Sequence, residues 1–178
     1  MAERGLAKVA LSVTTLDRKL ARMMEPRAGT PPRRLQAIKG LSDAGIPTAV
    51  MFAPVIPALN DSEMEAVLSA ATEAGARSAG YVLLRLPLEI KDLFREWLDG
   101  NVPGRAKHVM ALVRQMRGGK DYDSQWNTRM RGTGPYAEMI ARRFQLAVKR
   151  YGLNQNSRPL DLTKFRKPAR AGEQLALL

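Results

Sequence analysis

The feature that most constrains this chain is a short apolar run fenced by prolines. Residues 47–60 read Pro-Thr-Ala-Val-Met-Phe-Ala-Pro-Val-Ile-Pro-Ala-Leu-Asn, apolar from Ala49 to Phe52 and then broken by Pro54 and Pro57. A continuous apolar run this short, bounded by turn signals, reads as a strand buried on both faces, the kind that parallel sheets contain. It is predicted over 48–53. A strand is expected on either side. Residues 6–15 alternate Val9, Leu11 and Val13 with Ala10, Ser12 and Thr14, and residues 79–85 read Ala-Gly-Tyr-Val-Leu-Leu-Arg. Between the strands lie helical stripes. A short helix is predicted over 16–24, ended by Pro26. A longer one over 30–45 has Thr30 as N-cap candidate, Pro31 in the first turn and Gly45 closing it. A third begins near Asn60, Asp61 or Ser62 and ends at Gly75. The order βαβαβ with short turns demands right-handed crossovers and a parallel sheet.

After Pro87 the pattern becomes helical, over 88–99, 104–117 and 134–151, with an irregular stretch from Gly118 to Gly134. From about Asn154 the chain reads as a polar, basic tail. The expected organisation is therefore 1–87 as an α/β unit, 88–152 as a helical region, and 153–178 as a flexible tail. Three parallel strands do not close a barrel, and they leave sheet edges that need cover. The chain begins almost directly on a strand, so Met1 reads as an internal methionine of a longer frame.

Charge separates the two halves. Residues 1–100 hold 13 Lys and Arg against 12 Asp and Glu, whereas residues 101–178 hold 16 against 5. Such asymmetry points to contact of 101–178 with nucleic acid or another polyanion; a solvated basic face is the alternative. No cysteine occurs, which excludes disulfides, cysteine nucleophiles and thiolate-held zinc or iron–sulfur clusters within these residues. No run approaches the length of a membrane span, and the N-terminus lacks a signal-peptide core, so a cytoplasmic protein is expected.

In a parallel α/β sheet the ligand site lies at the carboxyl ends of the strands. Ser12, Thr14 and Thr15 end the first strand, Ala53-Pro54-Val55-Ile56-Pro57 the second, and Arg85 the third. Hydroxyls there suit a ribose or an amino-acid head group. Backbone beside Ala53 and Val55 suits an adenine edge, and Arg85 suits a phosphate or carboxylate. Ordinary solvated strand ends are the competing reading. His108 reads as a helix-surface residue. Trp97, Trp126 and Tyr122 read as rim anchors, with base stacking as the alternative. Asp121 and Asp123 lack metal-loop spacing, and Met110, Met116 and Met139 read as core fillers.

Four segments in order carry a resemblance: Ser12-Val-Thr-Thr-Leu-Asp17, Glu25-Pro-Arg-Ala28, Arg34-Leu-x-Ala-Ile-x-x-Leu-x-x-Ala-Gly-Ile46, and Ala53-Pro-Val-Ile-Pro-x-Leu-Asn-Asp61. Together they resemble the second half of a radical S-adenosylmethionine (radical SAM) enzyme, most closely the spore photoproduct lyase-like group of DNA-repair-related proteins. Arg131-Gly132-x-Gly134-x-Tyr136-Ala137-Glu138 is similar to the C-terminal region of bacterial members. The resemblance implies the last three strands of a six-stranded partial barrel. It implies that Ser12 meets the head group or ribose of S-adenosylmethionine, that the Ala53-Pro54 turn faces adenine, and that Arg85 lies on the substrate side; Thr14 and Val55 at the strand ends are expected beside them as cofactor contacts. Glu25 and Arg27 fall in a motif to which no role attaches. The family's 4Fe-4S cluster needs three cysteines near the first strand, and neither they nor the glycine-rich turn after the second strand are present. The expectation is a piece of a radical SAM enzyme that is inactive alone and completed by a missing N-terminal half. A non-catalytic nucleic-acid-binding module and a decayed fragment are the alternatives. Finally, Gln174-Leu-Ala-Leu-Leu178 resembles the peptide by which bacterial DNA-processing proteins dock on the replication sliding clamp, or else is a frayed end.

Overall fold

A computed structural model describes residues 1–155 and 159–164. Three strands, β1 (Val9–Ser12), β2 (Thr48–Val55) and β3 (Ser78–Leu83), form a parallel sheet in the order β1-β2-β3. Helices α1 (Arg18–Met24) and α2 (Pro31–Asp43) connect β1 to β2, and α3 (Met64–Glu73) connects β2 to β3. Three helices follow: α4 (Ile90–Asn101), α5 (Pro103–Gln115) and α6 (Gly134–Arg150). The proposed clamp-docking peptide, Gln174–Leu178, lies outside the described residues.

Local chemistry sets the element ends. Asp17 caps α1, its carboxylate accepting from the amides of Lys19 and Leu20. Pro31 opens α2 after an extended Thr30, whose side chain makes no capping bond. Gly45, at φ 73°, closes α2, with its amide bonded to the Ser42 carbonyl and that of Ile46 to Leu41. β1 is shorter than the predicted 6–15, although the Val13 amide still bonds to the Met51 carbonyl. β2 is longer than predicted and runs through Pro54 to Val55, with a register irregularity between Phe52 and Val55. None of Asn60, Asp61 or Ser62 is the N-cap of α3. That position falls to Glu63 after a single 3-10 turn at Asp61–Glu63, because the Asn60 side chain is engaged elsewhere.

One face of the sheet carries the main core. Val50, Phe52, Val55, Tyr81 and Leu83 pack against Ile38 of α2, Met64, Val67 and Leu68 of α3, and Ile140 and Phe144 of α6. The Tyr81 and Phe144 rings meet at 4.7 Å. Truncating a fully buried aromatic such as Phe52 would cost about 3–5 kcal/mol. A second cluster joins Leu20 of α1, Ile56, Leu59 and Leu86 to Leu98, Val109 and Val113 of the α4–α5 hairpin. The hairpin thus packs on residues that follow each strand.

α6 is tied across α3. Arg143 donates Nε and Nη2 to the Glu65 carboxylate at 2.8 and 2.6 Å and Nη2 to the Asp61 carbonyl at 3.0 Å. The Tyr136 hydroxyl donates to Asp61 at 2.8 Å. The far edge of the sheet is covered: the Leu83 amide bonds to Met130, and the Asn154 side chain bonds both peptide groups of Ala79. β1 is the other edge, and there Ala10 and Ser12 are exposed.

Candidate functional site

The end of β1 builds a polar cluster around a cavity of about 390 Å³. Thr14 is buried, and its hydroxyl lies 3.1 Å from Glu25 Oε2 and 3.3 Å from the Ala53 carbonyl, sharing one proton between them. Arg34 pairs with Glu25 at 3.0 Å and donates to the carbonyls of Gly29 at 2.9 Å and Ser12 at 2.8 Å. Thr14, Glu25 and Arg34 line the cavity together with Thr15, Arg18 and Arg22. Three guanidinium groups and one carboxylate lining one cavity suit a ligand that carries both a negative group and hydroxyls.

The neighbouring loops are held rigidly. The Thr15 hydroxyl donates to Glu63 Oε1 at 2.5 Å, and the Leu16 amide to Glu63 Oε2 at 2.8 Å. Asn60 is fully buried. Its Oδ1 accepts from the Ile56 amide at 2.7 Å, and its Nδ2 donates to the carbonyls of Thr14 at 2.8 Å and Pro54 at 3.0 Å. One side chain therefore fastens the end of β1 to the turn after β2. The Ala53-Pro54 peptide is cis.

Among the residues singled out in the sequence, Thr14 lines the cavity, whereas Ala53 and Pro54 do not and are tied to it through the Thr14 hydroxyl and the Asn60 side chain. The Ser12 side chain is exposed at the open edge, with its carbonyl held by Arg34. Val55 is fully buried in the core and its carbonyl accepts from the Leu84 amide, so its side chain faces away from the cavity region. Arg85 stands apart, beyond β3, donating to the Tyr122 hydroxyl at 3.1 Å. Sequence reasoning missed the roles of Glu25, Arg34 and Asn60. Glu25 and Arg34 stood within quoted motifs, but their pairing across the cavity carries no local signal.

The stretch between α5 and α6 is organised by arginines. Arg117 is buried and donates to the carbonyls of Leu84 at 2.8 Å and Thr128 at 3.0 Å. Burial pushes its guanidinium pKa down, partly offset by Asp123. Asp121 takes Arg95 and Arg114; burial opposes its charge, but the two arginines hold its carboxyl below the usual range. Asp121 is thus an ion-pair centre, Asp123 accepts from the Gln125 amide and the Thr128 hydroxyl, and among the described residues no group of three or more His, Asp or Glu could hold a metal ion. Trp97 is a rim anchor, stacked on Phe94 and donating to the Met23 carbonyl. His108 is exposed on α5. No helix among the described residues is long and apolar enough to cross a membrane.

Three parallel strands with flanking helices and a helical C-terminal region are consistent with a partial β/α fold of radical SAM type. The sequence model of the radical SAM superfamily matches residues 1–71, which hold the cavity-lining residues, Ala53 and Pro54. Uncharacterized proteins of Mycobacterium tuberculosis and Mycobacterium bovis are each 28% identical over 165 residues, covering 89% of this chain and 43% of theirs. The chain therefore spans less than half the length of these curated relatives. No solved structure matches it significantly.

Proposed function

We propose that this chain carries one side of an S-adenosylmethionine site in a radical SAM enzyme of the cytoplasm, with the cluster thiolates supplied by another stretch of polypeptide. The observation that carries the reading is the Thr14–Glu25–Arg34 cluster on a 390 Å³ cavity within the residues matched by the superfamily. The donor set fits the cofactor. Glu25 can accept from ribose hydroxyls or an ammonium, and Arg34 with Arg18 and Arg22 can receive a carboxylate. The carbonyls of Ala53 and Pro54 each have one internal donor and keep a second lone pair for an adenine amino group. Ser12 borders the same edge.

The chain does not fit the 4Fe-4S cluster, because it has no cysteine to ligate iron. By resemblance, bound S-adenosylmethionine would supply hydrogen-abstracting radical chemistry once a reduced cluster on another stretch of polypeptide delivered the electron. The contribution of these residues is to bind and orient the nucleoside. The motif order of residues 12–61 favours a lyase-like reaction of the spore photoproduct lyase-like group, and Arg85 then faces the substrate. Inactivity of the chain alone follows from the missing thiolates.

Equilibrium dialysis of the whole chain against labelled S-adenosylmethionine tests the site. Saturable binding in the high micromolar to millimolar range is expected, since one wall is incomplete. Glu25→Gln should weaken it by about tenfold, the effect of one charge-assisted hydrogen bond. Absence of saturable binding, or a Glu25→Gln variant that binds like wild type, would overturn the assignment.

A further inference from the structure

The segment between α5 and α6 presents a surface that the cofactor site does not use. Arg117 and the Met130 carbonyl pin it to β3. At its tip Trp126 is 77% exposed, a large apolar area for a residue type usually at least half covered. The Arg129 guanidinium lies 3.8 Å from the Trp126 ring centroid, covering one face. Arg131 is exposed and sits over the Tyr81 ring at 4.4 Å. Arg85 reaches the same segment through Tyr122 and Met130.

Among the described residues the guanidinium groups of Arg85, Arg129 and Arg131 have no counter-ion. The Nε atoms of Arg85 and Arg129 are shielded from solvent and donate to nothing. The nearby acids are already committed, Asp121 to Arg95 and Arg114, and Asp123 to the Thr128 hydroxyl and Gln125 amide. Residues 101–155 as a whole hold 11 Lys and Arg against 3 Asp and Glu.

From the exposed ring and its unpaired arginines we infer that Trp126 and Arg129 form a stacking platform for single-stranded nucleic acid, with Arg131 and Arg85 placed for its phosphates. A base has a flat π-face that matches the open side of Trp126, and its phosphates supply the missing negative charge. A duplex offers the phosphates but keeps its bases stacked inside, so it uses only half of this surface. An acidic peptide likewise answers the charge and leaves the ring unused. The inference rests on Trp126 and the arginines alone and stands apart from the cofactor reading.

Fluorescence anisotropy of the whole chain with a labelled 15-nucleotide oligo-dT or oligo-U, titrated with salt, tests it. Affinity should fall steeply with salt, with log K losing about 0.7 per decade for each phosphate contact. Trp126→Ala, at an exposed position that does not support the core, should weaken binding by about 5- to 150-fold with the salt slope unchanged. Trp126→Phe should restore most of the loss, and Arg131→Gln should lower the slope by about one contact. The inference is overturned if Trp126→Ala binds like wild type, if heparin or a duplex of equal length competes as well as the single strand, or if an acidic peptide does so. Because no S-adenosylmethionine enters the assay, its result is independent of the dialysis experiment.

Discussion

Arg34 is the residue on which the geometry of the cavity depends most, so its removal is the sharpest test. Its guanidinium joins three otherwise separate pieces: the Gly29 carbonyl in the α1–α2 loop, the Ser12 carbonyl at the open strand edge, and the Glu25 carboxylate. The side chain is 17% exposed and Glu25 34%, so water can replace part of what Arg34→Ala removes. Hydrogen bonds from a charged donor are worth about 1.5–3 kcal/mol where the acceptor is shielded, and much less at an open edge. Discounting all three for solvent and adding the packing of the aliphatic stem gives a loss of about 2–3 kcal/mol. For a chain of this size that lowers Tm by about 5–10 °C. Arg34→Lys keeps the stem and charge but cannot reach three acceptors at once, so it should lose about half as much. Circular dichroism melts measure the shifts, and dialysis of the same proteins should show cofactor binding at least about tenfold weaker for Arg34→Ala. An Arg34→Ala protein that melts within a degree of wild type would refute the three-way bridge. One that melts lower yet binds S-adenosylmethionine normally would refute the cavity as the cofactor site.

Two further predictions concern the supports of the site. Asn60→Ala leaves the Ile56 amide and the Thr14 and Pro54 carbonyls without their buried partner; it should cost about 3–4 kcal/mol in urea unfolding, and a loss under 1 kcal/mol would contradict the bonding described. Tyr136 is pushed up to about 12 by burial and by its bond to Asp61, so its stabilisation is fully present below the unfolded value near 10 and fades as pH rises toward 12. The stability gap between wild type and Tyr136→Phe should therefore narrow by about 1 kcal/mol between pH 8 and pH 11, allowing for partial exposure, and a constant gap would refute it.

The βαβαβ order and the three later helices were legible because each rests on a local period: short apolar runs, helical stripes, and a glycine or proline at the ends. The errors at the boundaries have local causes. Pro54 signalled a stop, yet β2 continues through it, and the irregularity between Phe52 and Val55 moves the inward position from 54 to 55. That shift buries Val55, which simple alternation would have turned outward beside the turn. The polar architecture was not legible, because its partners are distant in sequence. Asn60 reaches Thr14 across 46 residues and Arg34 reaches Ser12 across 22. Charge counting located the basic half of the chain. It could not separate Arg114, Arg117 and Arg143, which bind carboxylates or carbonyls, from Arg129 and Arg131, which lie over rings.

The two edges of the sheet differ in what they leave open. The outer edge of β3 is partly covered, since Met130 bonds the Leu83 amide and Asn154 both peptide groups of Ala79. β1 is the other edge. Val9 and Val13 donate to β2, and alternation turns the peptide groups of Ala10 and Ser12 to the open side, where Arg34 holds the Ser12 carbonyl. The cavity lies at the top of that same edge, through Thr14, Glu25 and Arg34. A polypeptide that extended the sheet beside β1 would stand against the open side of the cavity. On the cofactor reading proposed above, cysteines carried on it would come to the open side of that cavity. The platform at Trp126 lies beyond β3, on the side such a docking leaves uncovered. The proposed cofactor site therefore lies at one edge and the proposed nucleic-acid platform at the other, and a test of one does not disturb the other.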